Sequence, residues 1–181
     1  MTDFDDFCSV LLEEAKRFLE KAIEDSLEEA KVAYCHSAIF LSFSALEAYV
    51  NGIAEELSIR KDIPLNEISL LVEKEVELKN GEFILTDKLR IYRLTDRIEY
   101  LFKKFDASLL NITDNAWWSG LNNSICLRNK LVHPKVDLKI EIRQVQALVK
   151  SVIDCLTSLS KVVYKKEFPF KNLGLQSKMT F

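Results

Sequence analysis

The sequence predicts an all-α protein, a single bundle of about five to six helices. Three observations favour this fold class: apolar residues recur at helical spacing over most of the chain, only 4 Gly and 3 Pro supply turn material, and one long segment is apolar almost all round. With 181 residues, of which 48% are hydrophobic and 29% charged, the chain can bury a substantial core. We assign residues 1–166 to the helical domain and residues 167–181 to a C-terminal tail.

The first two predicted helices run from Asp3 to about Asp25 and from about Leu27 to Ser58. Between Val32 and Ala54 the second helix is apolar over most of its circumference, so we expect it at the centre of the bundle. Glu47 and Asn51 lie one turn apart on this helix. In such apolar surroundings both side chains need polar partners.

The middle and the end of the chain are less regular. Leu65–Asn80 has the pattern of a charged amphipathic helix that ends at Asn80-Gly81, and Glu82–Leu89 is expected to be extended or irregular. Helical periodicity returns from Leu94 to Phe105 and in a long last helix from about Ile140 to Tyr164. Phe168–Phe181 shows no period, so we expect a disordered tail or an arm on a neighbouring subunit.

The segment Leu127–Lys135, LRNKLVHPK, places a basic side chain near the end of a helix predicted from Trp117 to His133. Arg128 falls in the middle of an apolar stripe on that helix. Because arginine keeps its charge in proteins, a guanidinium that faces the core needs an acid, an amide or a second subunit. We therefore expect Glu47 or Asn51 to meet Arg128 or His133; the alternative is a surface Glu and Asn beside a groove. The other stripe residues are Trp117, Leu121, Ile125 and Val132.

His133 lies on the polar face of this helix, directly before Pro134. Proline disfavours the α conformation for the residue before it, so the helix should end there and present the imidazole in a cleft. Asn129, one turn earlier, is placed to fix the tautomer of the imidazole through a hydrogen bond.

An Arg, a polar residue directly after it, and a His five positions after the Arg resemble the catalytic motif of the HEPN superfamily. The matching residues are Arg128, Asn129 and His133, and the resemblance extends to the helix FLSFSALEAYVNGIAEEL and to the helix after Pro134. It implies an up-down helical core with the motif on a late helix, and a homodimer whose two motifs meet in an interface cleft. Many members are metal-independent endoribonucleases of toxin–antitoxin, phage-defence or RNA-processing systems, which also implies an antitoxin or regulatory partner.

The chemistry of these residue types agrees with RNA cleavage. Histidine titrates near neutral pH and can transfer protons, while arginine can hold a phosphate through two hydrogen bonds. We therefore predict that Arg128 and His133 cleave RNA through attack by the 2′-hydroxyl. The alternative is a non-catalytic HEPN-like dimer that binds a partner protein or a nucleotide, with Arg128 as a structural residue.

Charge is unevenly distributed along the chain. Residues 1–30 hold ten acids and three bases, a net of −7, whereas residues 127–150 hold six bases and two acids, a net of +4. A local basic zone favours a polyanion held by a few phosphate contacts, and we assign Lys130 and Lys135 to RNA binding. The alternative is that these lysines solvate a helix surface.

Four single cysteines, Cys8, Cys35, Cys126 and Cys155, fit neither a zinc site nor a disulfide framework. We expect them to be small buried side chains in a reducing compartment, and we expect no metal and no cofactor. The acidic N-terminus is unlike a signal peptide, and no apolar run was expected to approach membrane-spanning length. These features predict a cytoplasmic protein without a membrane segment.

Overall fold

The computed structural model describes residues 3–105, 112–135, 139–169 and 177–179. Within these ranges the chain forms six α-helices and one two-stranded sheet, so the predicted all-α class is confirmed. The predicted linker at 106–113 and the predicted loop at 135–139 fall partly on residues outside the described ranges. The elements in chain order are α1 (Asp3–Glu24), α2 (Glu28–Ser58), α3 (Leu65–Val72), β1 (Lys74–Lys79), β2 (Glu82–Leu89), α4 (Leu94–Phe105), a 3₁₀ turn (Ile112–Asp114), α5 (Ala116–Val132) and α6 (Ile142–Tyr164).

Helix α2 is the centre of the bundle, as its sequence predicts. It packs against α1 along much of its length and also contacts α3, α4, α5 and α6. Ile39, Leu46 and Val50 are completely buried, and each fully buried aliphatic side chain contributes about 1.5–3 kcal/mol through removal from water. Val32, expected on the apolar side, is instead exposed near the start of the helix.

By length and composition α2 is also apolar enough to cross a bilayer. The expectation that no apolar run approaches that length was therefore wrong. In this structure most of the apolar window is buried inside the bundle, against the other helices.

The segment predicted as one helix, Leu65–Asn80, is a short helix followed by a β-strand. Helix α3 ends at Val72, because Glu73 takes the left-handed conformation with φ 53°. Strands β1 and β2 then pair antiparallel in a hairpin, so the extended alternative for Glu82–Leu89 was right. Asn80 and Gly81 have φ of 52° and 84° and form the hairpin turn rather than a helix stop.

The tail packs on its own chain where the structure describes it. The Phe168 ring is buried and contacts Tyr49 edge-on, with ring centroids 5.1 Å apart, and the Ser9 hydroxyl donates to the carbonyl of Pro169 at 3.3 Å. For residues 168–169 these contacts contradict the expectation of a disordered tail or an arm on a neighbour, whereas residues 170–176, 180 and 181 of the predicted tail lie outside the described ranges. The reason is that Ser9 and Glu20 of α1 supply polar partners to the described parts of the tail.

Glu20 holds the far end of this arm. Its Oε1 accepts hydrogen bonds from the Ser177 hydroxyl at 3.0 Å, from the Met179 backbone N–H at 3.1 Å and from the Lys178 backbone N–H. Burial by itself raises the pKa of the Glu20 carboxyl, but the bonds from Ser177 and Lys178 and the charge of Arg17 outweigh it. The pKa therefore lies below its ordinary value of 4.5.

We expect Glu20→Gln to destabilise the protein above about pH 4.5 and to have little effect in stronger acid. A carboxyl whose pKa is lowered by folding stabilises the fold above its unfolded pKa, and this contribution disappears as the pH falls through the lowered folded value. The loss at neutral pH should be on the order of 1 kcal/mol, or roughly 2–4 °C in melting temperature. Melting curves at a series of pH values measure it, with the exposed Glu24→Gln as the matched control. A difference that does not change with pH would contradict this account.

Candidate active site

Helix α5 is held tightly against α6. Gly120 permits this close approach, because a Cβ at that position would lie 3.3 Å from the Cβ of Ser151. One turn later the hydroxyls of Ser124 and Ser151 lie 3.1 Å apart, within hydrogen-bond distance. Leu121, which follows Gly120 on α5, is fully buried. The backbone of α5 is thereby fixed relative to the core.

The helix ends as Pro134 requires. Its last residue is Val132, and His133 leaves the helical conformation with φ −125° and ψ 67°. The His133 backbone N–H still donates to the Asn129 carbonyl at 3.0 Å, while the imidazole is exposed. Within the described residues no hydrogen bond joins the Asn129 side chain to the imidazole, so the predicted tautomer contact is not formed in this conformation.

Glu47 is the partner of Arg128. Arg128 Nη2 donates to Glu47 Oε1 at 2.8 Å, and the guanidinium lies over the Phe43 ring, 5.3 Å from its centroid. The expected pairing of α2 with the motif arginine is confirmed for this glutamate. The Arg128 side chain is 24% exposed and Glu47 about half exposed, so the guanidinium lies at the edge of the core rather than inside it. At this exposure the pair adds little stability and mainly orients the guanidinium.

Asn51 binds a different arginine. Arg97 of α4 donates through Nη2 to Asn51 Oδ1 at 2.8 Å and to the Leu71 carbonyl at 2.8 Å, and through Nη1 to Glu73 Oε2 at 3.1 Å. Of the two residues that the sequence offers as partners of the motif, Glu47 therefore meets Arg128, and Asn51 does not. The sequence did contain a signal for Arg97: it lies at helical spacing from Leu94, Ile98 and Leu101, on the apolar face of α4.

Arg97 is the buried cation of this region, with only 5% of its side chain exposed. Burial lowers its pKa, which the charges of Glu73 and Glu47 oppose, and the guanidinium remains ionised. Its Nε is buried without a hydrogen-bond partner. The sequence predicts for Arg128 a core-facing guanidinium with an acid or an amide as partner. In the structure Arg97 has this environment.

Glu73 extends this network to the segment that leaves the hairpin. Its carbonyl accepts the Arg90 backbone N–H at 2.8 Å, and its Oε1 accepts the Tyr92 backbone N–H at 3.1 Å. The contacts connect α2, α4 and residues 90–92 through Asn51, Arg97 and Glu73. They fix one wall of the cleft that lies beside Arg128.

This cleft has a volume of about 560 Å³ and is open to solvent. It brings together four predicted site residues, Arg128, Asn129, Glu47 and Asn51, with several that sequence reasoning missed. The latter are Glu73, Leu89, Ile91, Tyr92, Arg93, Leu94, Thr95 and Arg97. Among the described residues the lining does not include His133, which lies just past the helix end.

The two lysines assigned to RNA lie outside the cleft. Lys130 lines a separate depression between α5 and α6, together with Ser124 and Leu148. Lys135 is exposed after Pro134. Neither belongs to the lining of the cleft.

Three of the four cysteines are buried in the helical core. Cys8, Cys35 and Cys155 are buried as expected, and burial raises the pKa of the Cys35 and Cys155 thiols. Cys126 is exposed on α5, contrary to expectation, because it lies on the face turned away from the core. In the described part of the chain no group of three His, Cys, Asp or Glu side chains is placed to hold a metal ion.

Comparison with protein-family models, with curated proteins and with solved structures found no match to this chain. The HEPN resemblance therefore depends on the motif residues and the order of the helices.

The two arginines should differ in what they contribute to stability. Arg97→Met leaves Glu73, Asn51 and the Leu71 carbonyl without their donor, and loss of one partner from a buried network costs about 3 kcal/mol. Arg128→Met removes one partly exposed pair and should cost about 1 kcal/mol or less. Urea denaturation of both variants measures the difference, and equal losses would show that the Arg97 network is not the stronger constraint.

Proposed function

We propose that this chain is a metal-independent endoribonuclease of HEPN type that acts as a homodimer in the cytoplasm, within a toxin–antitoxin or phage-defence system. One observation carries the proposal: Glu47 holds the Arg128 guanidinium at an open cleft, one turn before the helix end at which His133 is exposed. A cation and a titratable side chain are thus placed at one end of α5, on a backbone fixed by its packing against α6.

The reaction requires a general base, a general acid and a cation. A base removes the proton of the 2′-hydroxyl, the resulting oxygen attacks the adjacent phosphorus, and the bond from phosphorus to the 5′-oxygen breaks as an acid protonates that oxygen. A cation stabilises the negative charge on the non-bridging oxygens. His133 serves one of the proton transfers. Arg128 stabilises the charge, because in the described contacts only one of its N–H donors is used, by Glu47.

The shortage of histidines supports a dimer. One motif histidine per chain cannot be both base and acid in the same step, and a second chain supplies the other. Exposed apolar side chains lie within two helical turns of the Glu47–Arg128 pair, and a second subunit bound there would remove them from water. These are Phe40, two turns before Glu47, and Val132, one turn after Arg128.

The basic zone supports a polyanionic substrate. Lys130 precedes His133 and Lys135 follows it, and both lysines are exposed. Neither has an ion-pair partner in the described part of the chain. Unpaired lysines gain the most from phosphate contacts, since no carboxylate has to be displaced. A strand of RNA that leaves the cleft past the end of α5 would meet them.

Two observations favour a second candidate, a non-catalytic HEPN-like dimer that binds a partner protein or a nucleotide. Arg128 is already neutralised by Glu47, and the described lining of the cleft lacks His133. In that case the pair would be a structural contact. The two candidates differ in whether His133 is needed for turnover of RNA.

We expect the purified protein to cut single-stranded RNA in EDTA and to leave a 2′,3′-cyclic phosphate, because the nucleophile is the neighbouring hydroxyl rather than a metal-bound water. His133→Ala should abolish cleavage with a melting temperature within a few degrees of wild type, since an exposed helix-end imidazole adds little to the core. His36→Ala, which removes the other histidine, is the matched control and should remain active. A magnesium requirement with a 5′-phosphate product would exclude this mechanism.

A shared site makes a separate quantitative prediction. When wild-type chains exchange subunits with inactive Arg128→Ala/His133→Ala chains at fixed total protein, activity should fall as the square of the wild-type fraction, because mixed dimers are inactive. Light scattering confirms beforehand that the double variant still dimerises. A linear fall after confirmed exchange would mean that each chain holds a complete site.

A further inference from the structure

Two large apolar side chains at the rim of the cleft remain exposed although their backbone is fixed. Ile91 is 78% and Leu89 72% exposed, and both line the cleft. They lie where β2 ends and the chain crosses to α4, whereas Arg128 and Asn129 line the cleft from α5. Neither is used by the proposed reaction.

The backbone that carries Ile91 is held on both sides by one residue. Glu73 binds the backbone N–H of Arg90 through its carbonyl and that of Tyr92 through its carboxylate, at 2.8 and 3.1 Å. The Arg90 guanidinium also lies over the Tyr92 ring, 5.1 Å from its centroid. The backbone on both sides of Ile91 is therefore ordered before any ligand arrives, which reduces the backbone entropy cost of binding against it.

The charges of the lining complement an anion. Arg93, Arg97 and Arg128 outnumber Glu47 and Glu73, which leaves the lining one positive charge in excess. Arg97 is occupied by its partners, whereas Arg93 is exposed and without an ion-pair partner among the described residues. The cleft thus has cations at Arg93 and Arg128 and an apolar surface at Ile91 and Leu89.

We propose that residues 89–93 form the base-binding wall of a nucleotide subsite, in which Ile91 and Leu89 contact the face of one unstacked RNA base while Arg93 and Arg128 bind the adjoining phosphates. A volume of about 560 Å³ accommodates one nucleotide with its flanking phosphate. The identification of the ligand as RNA rests on the proposed function.

This arrangement selects single-stranded RNA. A base can lie against Ile91 only when it is outside a helical stack, and in a duplex both faces of every internal base are covered. Asn129, whose side-chain amide has no hydrogen-bond partner among the described residues, lines the same cleft and offers a donor and an acceptor to a base edge.

The test measures binding without cleavage. In a His133→Ala background, the affinity for a fluorescent single-stranded RNA of about eight nucleotides is measured by anisotropy in EDTA. Ile91→Ser should raise the Kd by about fivefold to tenfold, within the range for loss of one base contact. Ile59→Ser is the matched control, because Ile59 is 81% exposed and lies outside the cleft, and it should leave the Kd unchanged. Duplex RNA of the same sequence should bind more weakly than the single strand.

The outcomes separate this proposal from the ribonuclease itself. Binding that depends on Ile91 in a protein that never cuts RNA would support the subsite and refute the catalytic function. Cleavage by wild type together with an unchanged Kd for Ile91→Ser would refute the subsite alone. Equal effects of Ile91→Ser and Ile59→Ser, or a shift of the Ile91→Ser protein to monomer in sedimentation, would show that Ile91 serves another purpose and would also overturn it.

Discussion

The charge of Arg97 has to be balanced inside the protein, and this constraint decides how the hairpin is attached to the helices. A guanidinium with 5% of its side chain exposed cannot be left without acceptors, so α2, the end of α3 and Glu73 each supply one. Glu73 does so from the left-handed conformation that ends α3, with φ 53°. The same residue then holds Arg90 and Tyr92. One buried cation thus connects the helical core to the wall of the cleft.

Arg97 and Arg128 show how the same sequence pattern leads to two different roles. Each lies at helical spacing among apolar residues, and each meets a polar side chain of α2, at Asn51 and at Glu47. Arg97 lies in the first turn of α4 and is enclosed by α2, the end of α3 and Glu73, whereas Arg128 lies one turn from the end of α5 and keeps contact with water. Because Arg97 is enclosed, it is a structural residue. Arg128 has access to solvent and is therefore able to bind a ligand.

Several features could be predicted from the sequence because a single strong signal controls each of them. The apolar circumference of α2, the stop at Pro134 and the need of Arg128 for an acid are of this kind. The hairpin was missed because KEVELK contains charged residues at spacings that suit both a helix and a strand, and only pairing with residues 82–89 decides between them. The role of Arg97 could not be predicted because its partners lie 24 to 46 residues away, in α2, in α3 and between α3 and β1, although its helical spacing resembles that of Arg128. The attachment of the tail to Glu20 involves residues about 158 positions apart, which no local pattern reports.

The contact between Gly120 and Ser151 has a geometric consequence for the end of α5. The helix behaves as a rigid rod that touches α6 at Gly120, and Arg128 lies eight residues, or about 12 Å, further along its axis. A tilt of about 3° at the point of contact would move the guanidinium by roughly 0.6 Å, which exceeds the tolerance of about 0.5 Å that a reactive arrangement allows. The position of Arg128 therefore depends on packing two helical turns away, where a methyl group at residue 120 would push α5 from α6.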